Sequence, residues 1–258
     1  MRTYHANEIG NVAVLGHSGC GKTSIVEAMA YRSGIINRTG SISEGNTLSD
    51  YSEEEIKRQS SVNLAVIPVE WNNCKINLVD VPGIFDFVGE CEAALSVCES
   101  ALIVVPSSAG ISAGTKQAMF RAKDKAKIIY INGLDNPSSD YATKLQQLKD
   151  TYGKAIAPIQ VPIMDNNNKM VGYVNVAKME GRIFDGEQTK ATDIPIELME
   201  QVRPIKEMID EAVANTSDEL LEKYINEEPF TKEEISWALR KGVMAVSYTH
   251  LTLPTICS

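Results

Sequence analysis

Basic residues are the minority in this chain. Lys+Arg number 25 against 34 Asp+Glu across 258 residues, a formal net charge of -9. That is the wrong sign for a body that grips nucleic acid by bulk electrostatics, so sequence-specific nucleic-acid binding is not expected and any RNA contact must be local. Histidine is scarce as well: His5, His17 and His250 stand without a partner at ligand spacing, so none reads as a metal ligand. The five cysteines, Cys20, Cys74, Cys91, Cys98 and Cys257, are odd in number and lack the paired spacing of a zinc site. They read as free thiols in a reducing compartment, with Cys91 and Cys98 sharing a helical face as packing residues. No stretch approaches the ~18 apolar residues that cross a bilayer, and no apolar run follows a basic start. No membrane partner and a cytoplasmic location are therefore expected. Cys257 lies too close to the end to form a prenylation box.

What is present is an ordinary soluble composition, 43% hydrophobic and 23% charged, enough to bury a core. Short apolar runs at residues 11–15, 62–70, 75–79, 101–105 and 127–132 read as strands. Helical patterns follow from residue 22, through 91–97, at 114–125 and at 141–152. Strands alternating with crossover helices predict an α/β fold, a doubly wound and mostly parallel sheet covered on both faces. Beyond residue 153 the rhythm changes to strand-like runs at 159–163, 170–176 and 178–183 around a turn-rich 165–169, predicting an inserted small α+β subdomain. An acidic helical pattern covers 196–224, and Thr231 with Glu234 forms a capping box that opens a helix to residue 241. The expected division is 1–153, 154–245 and a tail at 246–258. From Ser247 the text SYTHLTLPTICS continues neither the helix nor any charge pattern. It resembles translated sequencing-adapter read-through, a short natural tail being the other reading.

Gly16-His17-Ser18-Gly19-Cys20-Gly21-Lys22-Thr23 lies between the first strand and the first helix. Two glycines separated by four residues and followed by Lys-Thr form the phosphate-loop pattern. Glycines let successive amides converge on phosphate, and the following helix presents its positive end to it. Lys22 then reaches the β and γ phosphates, and the Thr23 hydroxyl ligates Mg²⁺. Asp80-Val81-Pro82-Gly83 closes a later strand. There Asp80 can hold a Mg²⁺-bound water and Gly83 can offer its amide to a γ-phosphate. Asn132-Gly133-Leu134-Asp135 follows the strand KIIYI. Asp135 can accept two hydrogen bonds from the guanine N1 proton and exocyclic amine, a pairing adenine cannot offer.

With these three motifs in order, the chain resembles elongation factor G and especially its elongation-factor-G-like paralogues, from about residue 9 to about residue 245. The resemblance implies a translational GTPase with a P-loop NTPase fold that binds GTP or GDP with Mg²⁺ and partners the ribosome. Lys22, Asp80 and Gly83 are then its catalytic residues. Residues 40–51 look like the start of the first switch segment. Arg58-Gln59-Ser60-Ser61-Val62 stands where the family reads Arg-Gly-Ile-Thr-Ile, which puts Ser61 on the Mg²⁺-ligating threonine. Read from its residues alone, 39–61 is too long for a tight connector and too polar for core. The resemblance further implies that the last strand of the sheet, with the segment covering guanine, lies beyond this chain, as do the domains that touch the decoding region.

Three departures bear on the chemistry. Ile84 stands where the family carries a histidine that orients the attacking water, so hydrolysis is expected to be slow unless Asp86 or the ribosome compensates. Gly133 replaces a lysine that lies over the base, and Gly19 replaces a loop aspartate. Beside it, Cys20 at a helix N-terminus is either a thiol of lowered pKa open to oxidation or a small residue that fits. Two other classes stay open: a GTP-binding module without turnover of its own, favoured by Ile84, and a P-loop ATPase, opposed by Asp135.

Overall fold

The structure, a computed structural model, describes residues 3–108, 110–136, 138–153, 156–167, 169–186, 188–244 and 250–254. The chain forms two compact units, with the boundary between Lys127 and Ile128. In the first unit β1 (Ile9–Gly16) is central, parallel to β3 (Cys74–Asp80) on one side and to β4 (Ser100–Pro106) on the other. β2 (Ala65–Trp71) lies antiparallel outside β3. Asn72 and Asn73, at φ 48° and 66°, turn that hairpin, and asparagine tolerates this left-handed backbone better than most residues. Helices α1 (Lys22–Arg32), α2 (Glu53–Arg58), α3 (Val88–Val97) and α4 (Ala113–Arg121) complete the unit. Ala13, Val14, Val26, Ile103 and Val104 are fully buried between sheet and helices, which is why β1 and β4 read as continuous apolar runs. The register sets Val14 opposite Asp80 and Gly16 opposite Val104. The carboxyl ends of three parallel strands therefore open on one edge, where open α/β sheets hold ligands.

The second unit takes up β5 (Ala126–Asn132), which crosses the boundary, and continues with α5 (Tyr141–Tyr152) and β6 (Ile156–Pro158). A four-stranded antiparallel sheet follows, in the order β10-β9-β8-β7, from β7 (Gln160–Met164), β8 (Met170–Asn175), β9 (Glu180–Asp185) and β10 (Gln188–Thr192). Helices α6 (Ile196–Ala214), α7 (Asp218–Ile225) and α8 (Lys232–Met244) come next. The α/β fold with a mostly parallel sheet and a small antiparallel one is as expected from the sequence. β10 was not legible as a strand.

One expectation is corrected. The sheet does not stop short of its last strand: β11 (His250–Pro254) runs parallel to both β5 and β6, with Leu251 opposite Ile128 and Ala157. Two parallel strands left a strand's width apart expose rows of unpaired amides and carbonyls, and an extended segment of strand-forming composition satisfies both rows. Residues 245–249 and 255–258, including Cys257 and most of the expected tail, lie outside the described residues.

Three element boundaries also move, each for a hydrogen-bonding reason. The helical pattern at 196–224 is two helices, because the Ser217 side chain caps α7 by accepting from Leu220 N. The pattern at 114–125 stops at Arg121, and Lys127 Nζ donates to the carbonyls of Ala122, Lys123 and Lys125 at 2.8, 2.9 and 2.7 Å. β2 begins at Ala65 rather than at residue 62, because the amides of Val62, Asn63 and Leu64 are taken by carboxylates instead of a neighbouring strand.

Candidate functional site

The phosphate-loop residues leave β1 at Gly16, whose φ of 146° and close approach to Val104 O suit only glycine: an added Cβ would lie 2.5 Å from that oxygen. Gly21, at φ 93°, is the N-cap of α1, and no side chain caps the helix. The first-turn amides of α1 are thereby left to the loop and to what the loop binds. Lys22 is buried and curls over the loop, donating from Nζ to Gly16 O at 3.2 Å and His17 O at 3.1 Å. Ser18 is half-buried and Gly19 is exposed. His17 packs toward Phe85, ring centroids 6.3 Å apart, and its Nδ1 is buried without a hydrogen bond among the described residues.

Asp80, at the end of β3, is 1% exposed and accepts from Thr23 Oγ1 at 2.7 Å. The Ser61 hydroxyl stands 3.5 Å from that of Thr23. Gly83 lies against the loop, where a Cβ would come within 2.6 Å of Ser18 N and 2.8 Å of His17 C and would strike Lys22 Nζ. The structure thus brings Gly16 to Thr23, Ser61, Asp80 and Gly83 together within the first unit. Ile84 and Asp86 follow directly, Ile84 half-buried and Asp86 exposed.

Two buried carboxylates belong to the site, and the Lys22 ammonium acts on both. Both oxygens of Asp50 and Oδ1 of Asp80 are buried without a hydrogen bond among the described residues. Burial raises the pKa of each above the ordinary carboxylate value; at Asp80 the Thr23 hydroxyl works against that rise. A buried carboxylate with a spare oxygen, beside two hydroxyls, is a donor set for a small hard cation. No group of three or more His, Cys, Asp or Glu suited to a metal occurs among the described residues, so phosphate and water would have to supply the other ligands.

The lowered thiol pKa is corrected. Burial pushes the Cys20 thiol up, outweighing the pull of Lys22, and the residue is 4% exposed. It fills space under the loop as a small apolar residue. Cys91 and Cys98 are buried too, the latter pushed up to about 11 by burial and Glu99, while Cys74 is exposed.

Asn132 and Asp135 stand in the second unit, at the carboxyl end of β5. Leu134 is fully buried and its carbonyl accepts from Ser139 Oγ at 3.2 Å. Asn136 N bonds Gly133 O at 3.1 Å. Anchored so, the turn leaves Asn132 half-buried and Asp135 exposed, its carboxylate turned out of the core.

Sequence reasoning missed three carboxylates. Glu27, on α1, is 2% exposed and accepts from Gly40 N at 2.9 Å and from Leu48 N, pinning two points within the segment between α1 and α2. Glu55 is 1% exposed. Glu90 reaches from α3 to Leu64. The Ser52-x-x-Glu55 capping box was the readable signal for α2; nothing local marks Glu27 or Glu90.

The elongation factor Tu GTP binding domain family matches residues 7–240. This chain belongs to that family. A crystal structure of a protein from Thermus thermophilus is similar to it throughout, with a TM-score of 0.86 and 31% sequence identity over 96% of this chain. The chain spans 37% of that protein's length. Membership makes it a GTP-binding domain of the translational GTPase family. No helix among the described residues is long and apolar enough to cross a membrane.

Proposed function

We propose that this chain is the nucleotide-binding part of a ribosome-associated translation factor of the elongation factor G type, which hydrolyses GTP·Mg²⁺ to drive a conformational switch. The observation that carries the proposal is the contact of Thr23 with Asp80, 57 residues apart in sequence, with Ser61 and Lys22 at the same edge. Amides from Gly16, His17, Ser18, Gly19, Cys20 and Gly21 wrap the phosphates, Lys22 neutralises them, and Gly83 meets the terminal one. Thr23, Ser61 and Asp80 are the residues that would hold Mg²⁺, which would supply charge neutralisation between the phosphates. Asn132 and Asp135 choose guanine. Residues 1–153 form the GTP-binding core in this reading, 154–245 the inserted subdomain with its helices, and 246–258 a foreign tail. The cytoplasm is its compartment.

A second reading, a GTP-binding module with little turnover, rests on Ile84, because an aliphatic side chain cannot hydrogen-bond the attacking water. A single-turnover assay with radiolabelled GTP, with and without ribosomes, separates the two. The GTPase reading expects phosphate release from the bound complex, faster with ribosomes. Tight GTP binding with no release in either condition would leave only the module.

A further inference from the structure

The three amides leading into β2 are held by two carboxylates from opposite sides of the site. Val62 N and Asn63 N donate to Glu55 Oε1, each at 3.0 Å, and Leu64 N donates to Glu90 Oε2 at 2.8 Å. Glu55 belongs to the segment before Ser61. It also takes the Ser52 amide at 3.1 Å and the Ser52 hydroxyl at 2.7 Å. Burial alone would raise its pKa, but the bonds from Asn63, Ser52 and Val62 together outweigh burial and lower it. Glu90 belongs to α3, which begins five residues after Gly83. One bond thus ties the helix that follows Asp80-Val81-Pro82-Gly83 to the strand lead-in that follows Ser61.

Each half alone would be ordinary. A buried glutamate closing a turn is a local device, and a half-buried glutamate on a helix is usually solvated. Together they leave the Ser61 hydroxyl, 3.5 Å from Thr23 Oγ1, on a short span whose downstream end is fixed to α3. Any displacement of α3 that breaks the bond from Leu64 N frees that end and leaves the Leu64 amide without its carboxylate, while Val62 N and Asn63 N stay on Glu55.

We infer that Glu90 is a positioning residue that couples α3 to Ser61, so that the two segments flanking the terminal phosphate move as one. This rests on the proposed GTP·Mg²⁺ site. It assigns Glu90 no contact with nucleotide or metal; the effect is carried by the backbone of residues 61–64. Glu90 should therefore matter for nucleotides that engage Ser61 and Gly83, and not for those that occupy only the loop.

The test compares Glu90→Ala and Glu90→Gln with the parent chain in two arms. The first arm is hydrogen–deuterium exchange of the peptide covering residues 62–64 in nucleotide-free protein. The second is equilibrium binding of Mg²⁺·GDP and of a non-hydrolysable Mg²⁺·GTP analogue. Loss of one charge-assisted hydrogen bond in a half-exposed setting should weaken analogue binding about fivefold to twentyfold. GDP affinity should hold, and exchange at residues 62–64 should speed up by a similar factor. Glutamine keeps an acceptor oxygen, so Glu90→Gln should restore both readouts. Equal losses for GDP and analogue, or a glutamine variant as impaired as alanine, would overturn the coupling. A parent that binds neither nucleotide would sink the functional reading, while unchanged exchange in Glu90→Ala would sink the clamp itself.

Discussion

Gly83→Ala is the sharpest perturbation the site offers, because it adds one methyl group where no room exists. The backbone at Gly83 is not left-handed, so alanine carries no conformational penalty there; the obstacle is space alone. The new Cβ would fall 2.6 Å from Ser18 N and 2.8 Å from His17 C, both backbone atoms of the phosphate loop, and onto Lys22 Nζ. Lys22 can swing away, but it gives up its bonds to Gly16 O and His17 O in doing so. The loop backbone cannot yield without changing the path proposed to wrap phosphate. Overpacking of this kind costs about 1–3 kcal/mol, which as lost nucleotide affinity is roughly 5- to 150-fold. Gly89→Ala is the matched control: nothing lies within 4 Å of its added Cβ, and Gly89 sits in α3. That change should stabilise the chain by about 0.5–1 kcal/mol. Fluorescent GDP titration and thermal melts of both variants are the assays. Gly83→Ala binding GDP as tightly as Gly89→Ala would refute the close approach of Gly83 to the loop.

Four further outcomes are expected. Ile84→His should raise the single-turnover GTP hydrolysis rate on ribosomes, by up to about 10²-fold if a missing water-positioning group is the deficit; no gain would remove that role from position 84. Glu55 has a folded pKa below its unfolded one, so its contribution to stability is full above the ordinary glutamate pKa and is lost as pH falls through the lowered value. Glu55→Gln should accordingly flatten the acid limb of a stability-versus-pH curve, and an unchanged limb would show that the carboxylate is not the group responsible. Thiol labelling at neutral pH should modify Cys74 first among the described cysteines, since burial pushes Cys20, Cys91 and Cys98 up; mass spectrometry finding Cys20 labelled first would contradict the packing. Lys144, 1% exposed, has no hydrogen bond at Nζ among the described residues, and burial lowers its pKa. Lys144→Met should therefore raise stability by about 1–3 kcal/mol in denaturant unfolding, and a loss would point to an uncounted partner.

The parallel sheet was legible because its strands are buried on both faces and spell apolar runs, as in the stretch from Ala101 to Val105. The turn from Gly16 to Thr23 between β1 and α1 was legible because its glycines, lysine and threonine stand at a fixed spacing within one local segment. Asp80 and Asp135 could be named from short motifs at strand ends, yet nothing in the text measures the 2.7 Å bond that joins Asp80 to Thr23. The stretch at 39–61 read as a polar loop, whereas Thr47, Ser49, Asp50 and Glu55 in it are buried. Polar composition marks solvent exposure only when the polar atoms lack partners, and here Glu55 collects its partners from both sides in sequence. Glu27 and Glu90 were invisible for a related reason: a helical glutamate reads as solvent-facing unless the distant amide it accepts is known. Residues 250–254 read only as part of a tail whose composition breaks with the preceding helix, but strand pairing responds to open backbone groups and not to the origin of the segment that fills them.

Equilibrium competition between guanine and adenine nucleotides tests the account most directly. Labelled GDP bound to this chain with Mg²⁺ should be displaced by unlabelled GTP and GDP, and ATP and ADP should fail to displace it even at about a thousandfold excess, because adenine lacks the two donors that the Asp135 carboxylate would accept from guanine. Displacement by ATP at concentrations similar to GTP, or no GDP binding at all, would contradict it.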